Sequence, residues 1–202
     1  MPAVTAWETE WARAAENNKE AGELSRSIKV AFCGMAAAIS AVLLFFTGVI
    51  PFGRMGLAAL SGLVLIAVVA EFGAGWAWPV YIAVSLLGGL LAAYKHAVLA
   101  YILVFGCYPI LKAVIESRTK KAVGLLLKLV FFNAAAVLDF LVCTSLLGVP
   151  KSSYQIFGMN IPWVLLLAAN FVFLVYDYAL SLLAAGYFQK IHPAVRRIFH
   201  LR

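Results

Sequence analysis

The chain reads as six long apolar runs separated by short polar punctuation. The first run, 30–51, holds no charge. It is long enough to cross a bilayer, which takes about 20 apolar residues in a helix. Further runs follow at 55–70, 78–93, 97–114, 124–147 and 162–187. None alternates apolar and polar residues as barrel strands do, and lipid tolerates no unpaired backbone, so helical crossings are expected. The expected fold is all-α: a polytopic membrane protein whose six transmembrane helices form one bundle over 29–188. A polar segment, 1–28, precedes it and a basic tail, 189–202, follows. The polar segment reads as a cytoplasmic or interfacial helix, with Trp7 and Trp11 one turn apart among glutamates. Pro109 is expected to kink or shorten the fourth crossing, because its ring displaces the carbonyl four residues back.

Composition agrees with this pattern. The chain of 202 residues is 64% hydrophobic and 12% charged, with mean hydropathy +0.96. A soluble domain is typically about half apolar and a quarter charged. The net charge of +7 would raise nucleic acid as a partner of a soluble protein, but here it reads as membrane orientation. Thirteen of the sixteen basic residues fall on the side of the two termini and the 112–128 loop region; only Arg54, Lys95 and Lys151 fall on the other. The positive-inside rule then gives an N-in, C-in topology. No cleavable signal is expected, since the first apolar run starts late and follows an acidic segment. Cys33, Cys107 and Cys143 lie in apolar runs, and His96, His192 and His200 are scattered, so no metal cluster is expected.

Ionisable groups within a bilayer are costly and face partners or cavities. Asp139 and Asn170 are expected at matched depth in the outer halves of crossings five and six. Asn133 and Asp177 are expected to match in the inner halves. Each pair either clips the two helices together or, for Asp139 and Asn170, meets an external ligand. Glu71 is expected in a cytoplasmic turn, solvated or paired with Lys112 or Lys128, and Glu116 on the surface. The outer rim adds Arg54, Lys95, Lys151, Tyr154, Gln155, Asn160 and Trp163, either a mouth for an anionic or aromatic solute or ordinary loop residues. Tyr94, Tyr101 and Tyr108 recur every seven residues on one face, more in keeping with packing than with a ligand cage. In the first crossing, Gly34 and Ala38, and likewise Ala37 and Ala41, stand one turn apart. Such small residues let another helix approach closely, either within this bundle or from a separate subunit.

Enzyme motifs are absent: the chain has no P-loop, GxGxxG, HExxH or GxSxG. Active transport by this chain would therefore draw its energy from a partner or an ion gradient. Six helices in about 200 residues, the small-residue face of helix 1 and the run AAAISAVLLFFTGVIPFGRMGLAALSGLVLIAVVAEFGAGWAWPVYIAVSLLGGLL (36–91) resemble the substrate-binding S component of energy-coupling factor (ECF) transporters. The resemblance covers the first half of the chain by pattern and the second by topology. It implies a plasma-membrane protein that docks a T component through Gly34, Ala37, Ala38 and Ala41 and relies on ATPase subunits supplied by other chains. It also implies a small vitamin-like ligand near the outer face, at Arg54, Lys95, Lys151, Tyr154 and Asn160.

The leading expectation is thus a solute-binding membrane subunit of an uptake system, with Arg54, Lys95, Asp139, Lys151, Tyr154, Asn160, Trp163 and Asn170 as candidate ligand residues. No cofactor and no nucleic-acid partner are expected. A structural or scaffolding membrane protein without a solute is the alternative. A small ion-coupled carrier using Asp139 and Asp177 as a proton path ranks third, because no inverted repeat is visible.

Overall fold

A computed structural model describes residues 26–145 and 162–192. The expected lead-in helix before residue 26, the loop 148–160 and the tail beyond 192 lie outside the described residues. The elements are α1 (Arg26–Val49), α2 (Arg54–Phe72), α3 (Ala74–Leu91), α4 (Lys95–Ala100), a π-helical turn (Tyr101–Phe105), α5 (Tyr108–Arg118), α6 (Lys121–Ser145) and α7 (Pro162–Gly186). A second π-helical turn (Tyr187–Ile191) continues α7. No strand occurs among the described residues. Among the described residues, six helical stretches are long and apolar enough to cross a membrane: Ser27–Val49, Arg54–Phe72, Ala74–Leu91, Lys95–Arg118, Ala122–Ser145 and Leu166–Gln189. By length and composition these helices are compatible with a multi-pass membrane protein. The third crossing starts at Ala74, earlier than expected, because the single residue Gly73 makes the whole turn from α2. Its backbone (φ 79, ψ 175) is accessible almost only to glycine.

The crossings are not equivalent. More than half of the second and the fourth is buried, against less than a third of the other four. The bundle is therefore built on α2 and the α4–α5 crossing, and its remaining helices turn rows such as Ile39, Val42, Phe45 and Phe46 outward. Apolar outward faces suit a lipid solvent, in which burying leucine gains little and close packing holds helices together.

The fourth crossing breaks where Pro109 requires it. Proline has no N–H to give and crowds the carbonyl four residues back, here that of Phe105. The chain answers before the proline. The amide of Gly106 donates to Tyr101 O at 2.7 Å, closing a wide π turn, and α5 then begins with Pro109 in its first turn, where a missing N–H costs nothing. Carbonyls beside the break receive side-chain donors. Tyr81 Oη donates to Ile102 O at 2.8 Å, and the Cys107 thiol donates to Leu103 O at 3.3 Å.

The Phe105 carbonyl meets α2 at Gly62. A methyl group built on Gly62 would stand 2.1 Å from the Phe105 oxygen and 2.7 Å from its carbonyl carbon. Both are backbone atoms and neither can swing aside. At the residue just before Gly62, Ser61 and Ser40 clasp α2 to α1. Ser40 Oγ donates to Ser61 O and Ser61 Oγ to Ser40 O, each at 3.0 Å and fully buried.

Gly62→Ala is expected to destabilise the bundle by about 1–3 kcal/mol through overpacking. Gly34→Ala, where an added methyl meets nothing, is expected to leave the melting temperature unchanged or higher. Thermal unfolding of both variants in detergent, followed by circular dichroism, checks the contrast; equal effects would remove the close approach at Gly62 as the cause.

Candidate functional site

Polar side chains gather in three groups along the bundle. The first lies at the end where α2 begins, α3 ends and α4 begins. Gly53, in the left-handed region at φ 74, turns the chain into α2, so that Arg54 becomes its first residue. The Arg54 guanidinium carbon sits 4.2 Å from the centroid of the Tyr94 ring, a cation–π contact. Its Nε is buried and has no hydrogen-bond partner among the described residues. The Tyr94 ring in turn lies 6.0 Å from that of His96. His96, in the first turn of α4, brings Nε2 to 3.2 Å from Asp139 Oδ2 on α6. The second oxygen, Asp139 Oδ1, is buried and has no hydrogen-bond partner among the described residues. Cys143, fully buried one turn further along α6, completes a trio with His96 and Asp139 whose ligand atoms all lie within 4.8 Å of one another.

Lys95 does other work. Its Nζ donates to Gly89 O at 2.6 Å. Gly89 is in the last turn of α3, where carbonyls have no partner within the helix, so Lys95 closes a helix end with a favourable charge.

A second group crosses the middle of α6 and α7. Asn133 and Asn170 exchange hydrogen bonds through their side-chain amides, 2.9 Å each way. Each also donates to the carbonyl one turn back, Leu129 O and Leu166 O, at 2.8 Å. Asn170 is thereby occupied as a clip between helices, and the expected pairing of Asp139 with Asn170 gives way to Asn133 with Asn170. The partner of Asn170 on α6 thus moves from 139 to 133, a slide of about 9 Å along the axis at 1.5 Å per residue.

The cause of that slide is the third group. Asp177 on α7 does not meet Asn133. Its Oδ1 accepts from Tyr108 Oη at 2.6 Å and from Lys112 Nζ at 2.5 Å, while Lys128 Nζ stands 3.3 Å away. Lys112 also donates to Glu116 Oε1 at 2.8 Å, and Lys128 pairs with the same oxygen. Both lysines are almost fully buried and Glu116 is only 9% exposed. Glu116, expected at the surface, is thus part of the interior. So are Lys112 and Lys128, expected as loop cations. Two cations and two carboxylates make a neutral set drawn from α5, α6 and α7. The available signal was the spacing of Tyr108, Lys112 and Glu116, one helical turn apart each time and hence on one face. Without Lys112 and Lys128, eleven of the remaining fourteen basic residues still fall on one side in the count. Glu71, near the same end of the bundle, pairs with neither lysine. It accepts from Tyr187 Oη at 2.8 Å and lies 3.1 Å from His192 Nδ1.

Of the other candidate residues, Lys151, Tyr154, Asn160 and the side chain of Trp163 lie outside the described residues. The small-residue face of α1 is divided. Gly34 and Ala38 are exposed, Ala37 is half-buried and Ala41 is buried within the chain. The line that α1 turns to its own bundle is Cys33, Ala36, Ser40, Leu44 and Thr47. The three tyrosines also part. Tyr101 and Tyr108 are core residues, and Tyr94 receives Arg54 at the bundle end. Sequence reasoning passed over His96, Cys143 and Tyr94 as site residues, because 94–96 and 139–143 meet only through the fold.

No protein-family model, no curated protein and no solved structure matches the chain.

Removing one member of a buried ion set strands its partners and typically costs about 3–5 kcal/mol. Asp177→Ala is expected to lose stability on that scale. Asp177→Ala combined with Lys128→Met restores neutrality and is expected to recover more than half of the loss. A double-mutant cycle on thermal or denaturant unfolding checks this; additive losses would contradict the network.

Proposed function

We propose that this protein is a non-enzymatic, membrane-embedded solute-binding subunit of an uptake transporter, of the S-component kind that its first half resembles. In this reading it sits in the plasma membrane with both termini in the cytoplasm. The Arg54 end then faces outward, and a small vitamin-like or metabolite ligand reaches Arg54, Tyr94, His96 and Asp139. The observation that carries the reading is the pair of incompletely partnered buried atoms at that end, Arg54 Nε and Asp139 Oδ1. Buried polar atoms are nearly always hydrogen-bonded, so one donor and one acceptor left over call for an explanation. A ligand offering an acceptor to the guanidinium and a donor to the carboxylate would satisfy both. Lys95, already bonded to Gly89, contributes structure to this end, and Asn170, already bonded to Asn133, belongs to the clip between α6 and α7.

Docking of a T component and its ATPase subunits narrows to the exposed part of the small-residue face, Gly34 and Ala38. A helix can approach there without displacing a side chain of this protein. Ala41 serves the internal packing.

The runner-up, a scaffolding membrane protein that binds no solute, draws on the interior set of Lys112, Glu116, Lys128 and Asp177. Such a network fixes how helices pack and requires no ligand.

Two measurements separate the readings. In a thermal-shift screen of the purified protein against vitamins and related metabolites, a true ligand at about 100 times its Kd adds about 2.7 kcal/mol of stability. The gain is expected to vanish in Arg54→Gln. Co-expressed with T and ATPase subunits, Ala38→Trp is expected to reduce co-purification about tenfold, a loss of about 1.4 kcal/mol in binding, while Leu60→Trp, at an exposed position of α2, leaves it unchanged. No stabilising compound together with undiminished assembly of Ala38→Trp would favour the scaffold.

A further inference from the structure

His96, Asp139 and Cys143 form a ligand set of a kind that lone polar residues in an apolar bundle do not need for packing. Asp139 and Cys143 stand one turn apart on a single face of α6, and His96 reaches them from the first turn of α4. We infer that these three side chains bind a borderline-soft divalent transition-metal ion, with Zn2+ as the type case, and leave a fourth position open.

The donor set selects the ion. Imidazole, thiolate and carboxylate suit zinc and its neighbours, whereas magnesium and calcium require oxygen ligands throughout. The geometry is close to what such an ion takes. With bonds of about 2.0–2.3 Å, ligand atoms around a tetrahedral zinc stand about 3.3–3.8 Å apart. The three atoms here lie within 4.8 Å of one another, and His96 Nε2 to Asp139 Oδ2 is 3.2 Å, so small side-chain rotations close the set. The charge balances as well. Binding displaces the Cys143 thiol proton to solvent, and thiolate plus carboxylate then neutralise the dication, which matters in a weakly polarisable bundle. Asp139 has an oxygen to spare for the ion, since Oδ1 accepts no hydrogen bond among the described residues. Three protein ligands with an open position characterise zinc sites that exchange a bound molecule, whereas structural sites are closed by four. Whether the ion is itself cargo or holds a metabolite rests on the solute-binding reading above; its binding to the chain does not.

Co2+ is the probe, because a cobalt–thiolate bond announces itself by charge-transfer absorption in the near ultraviolet. The purified full chain, stripped with chelator and titrated in detergent, is expected to bind one Co2+ with that band and to release it to Zn2+. Cys143→Ser is expected to abolish the band, while Cys33→Ser and Cys107→Ser retain it. His96→Gln and Asp139→Asn are expected to weaken binding by at least about tenfold, as loss of groups around a metal does. A missing band, or one that survives Cys143→Ser, overturns the inference. Should Cys143→Ser fail to fold, unchanged affinity in folded His96→Gln overturns it equally. Chelator-treated protein that still gains stability from a metabolite, but binds no Co2+, would sink the metal site and leave the transport reading standing. Metal binding by a chain that no metabolite stabilises and that assembles with no partner would do the reverse.

Discussion

Lys112 and Lys128 each lie against two carboxylates, Glu116 and Asp177, and little of any of the four side chains touches solvent. Each charge was taken out of water at a cost of several kcal/mol, and only mutual attraction at hydrogen-bonding range offsets it. That requirement is stricter than apolar packing. A leucine facing lipid can turn through tens of degrees and lose little, but a lysine inside the bundle must keep its carboxylate. The set therefore fixes the depth at which α7 runs beside α6 and the rotation of α5 about its axis. The Asn133–Asn170 clip takes its height from the same constraint, since Lys128 with Asp177 and Asn133 with Asn170 lie on nearly the same antiparallel register.

The other half of the molecule is held by backbone. The π turn at Tyr101–Phe105 frees carbonyls in the most buried crossing, a defect that lipid cannot solvate. Tyr81 and Cys107 donate to the carbonyls of Ile102 and Leu103 beside it, and the absence of a side chain at Gly62 lets α2 close on that of Phe105. Stacking of Tyr81 on Tyr101, with ring centroids 6.1 Å apart, fills the space beside the break. A kink caused by Pro109 is thus a point where α2, α3 and the fourth crossing lock together. The ion set and this break sit on the same crossing, so α4–α5 is tied to α2 and α3 on one flank and to α6 and α7 on the other.

Much of this was legible before any coordinates. Apolar runs of sufficient length mark helices in lipid without ambiguity, so the number and order of crossings follow from the sequence, and Pro109 marks the break. Pairing within the bundle did not follow. The match of Asp139 with Asn170 assumed that α6 and α7 begin at the same depth, and hydropathy alone is too blunt to set depth to within a few residues. A preference for the smallest residues drew Gly34, Ala37, Ala38 and Ala41 into one face. Those four span about 100° of the helix surface at 3.6 residues per turn, so the row straddles the edge between the bundle and the outside: Ala41 lies inside and Gly34 out. Lys112, Glu116 and Lys128 misled for a different reason. Lysine and glutamate near the end of a crossing usually reach water, and only the recurrence with Tyr108 hinted that this row turns inward.

The two ends of the bundle differ in how fully their polar groups are used. Between α5, α6 and α7, six hydrogen-bonding contacts among five side chains leave one carboxylate oxygen, Glu116 Oε2, over. At the Arg54 end, a guanidinium rests on an aromatic face, a histidine shares one carboxylate oxygen, and both a donor and an acceptor are left over. Stability alone favours the first arrangement, because each unsatisfied buried group costs about 1–3 kcal/mol. A protein that binds something must keep such groups in reserve, and their cost is recovered only when the ligand arrives. The same logic explains why Asp139 sits beside a histidine instead of a lysine. A lysine is a point charge without acceptor capacity, whereas an imidazole holds the carboxylate in position and can itself turn to a ligand. The interior also leaves the Tyr101 and Tyr176 hydroxyls without a hydrogen-bond partner among the described residues, so what sets the Arg54 end apart is that the groups left over there belong to a guanidinium and a carboxylate, the kinds most costly to leave unpaired.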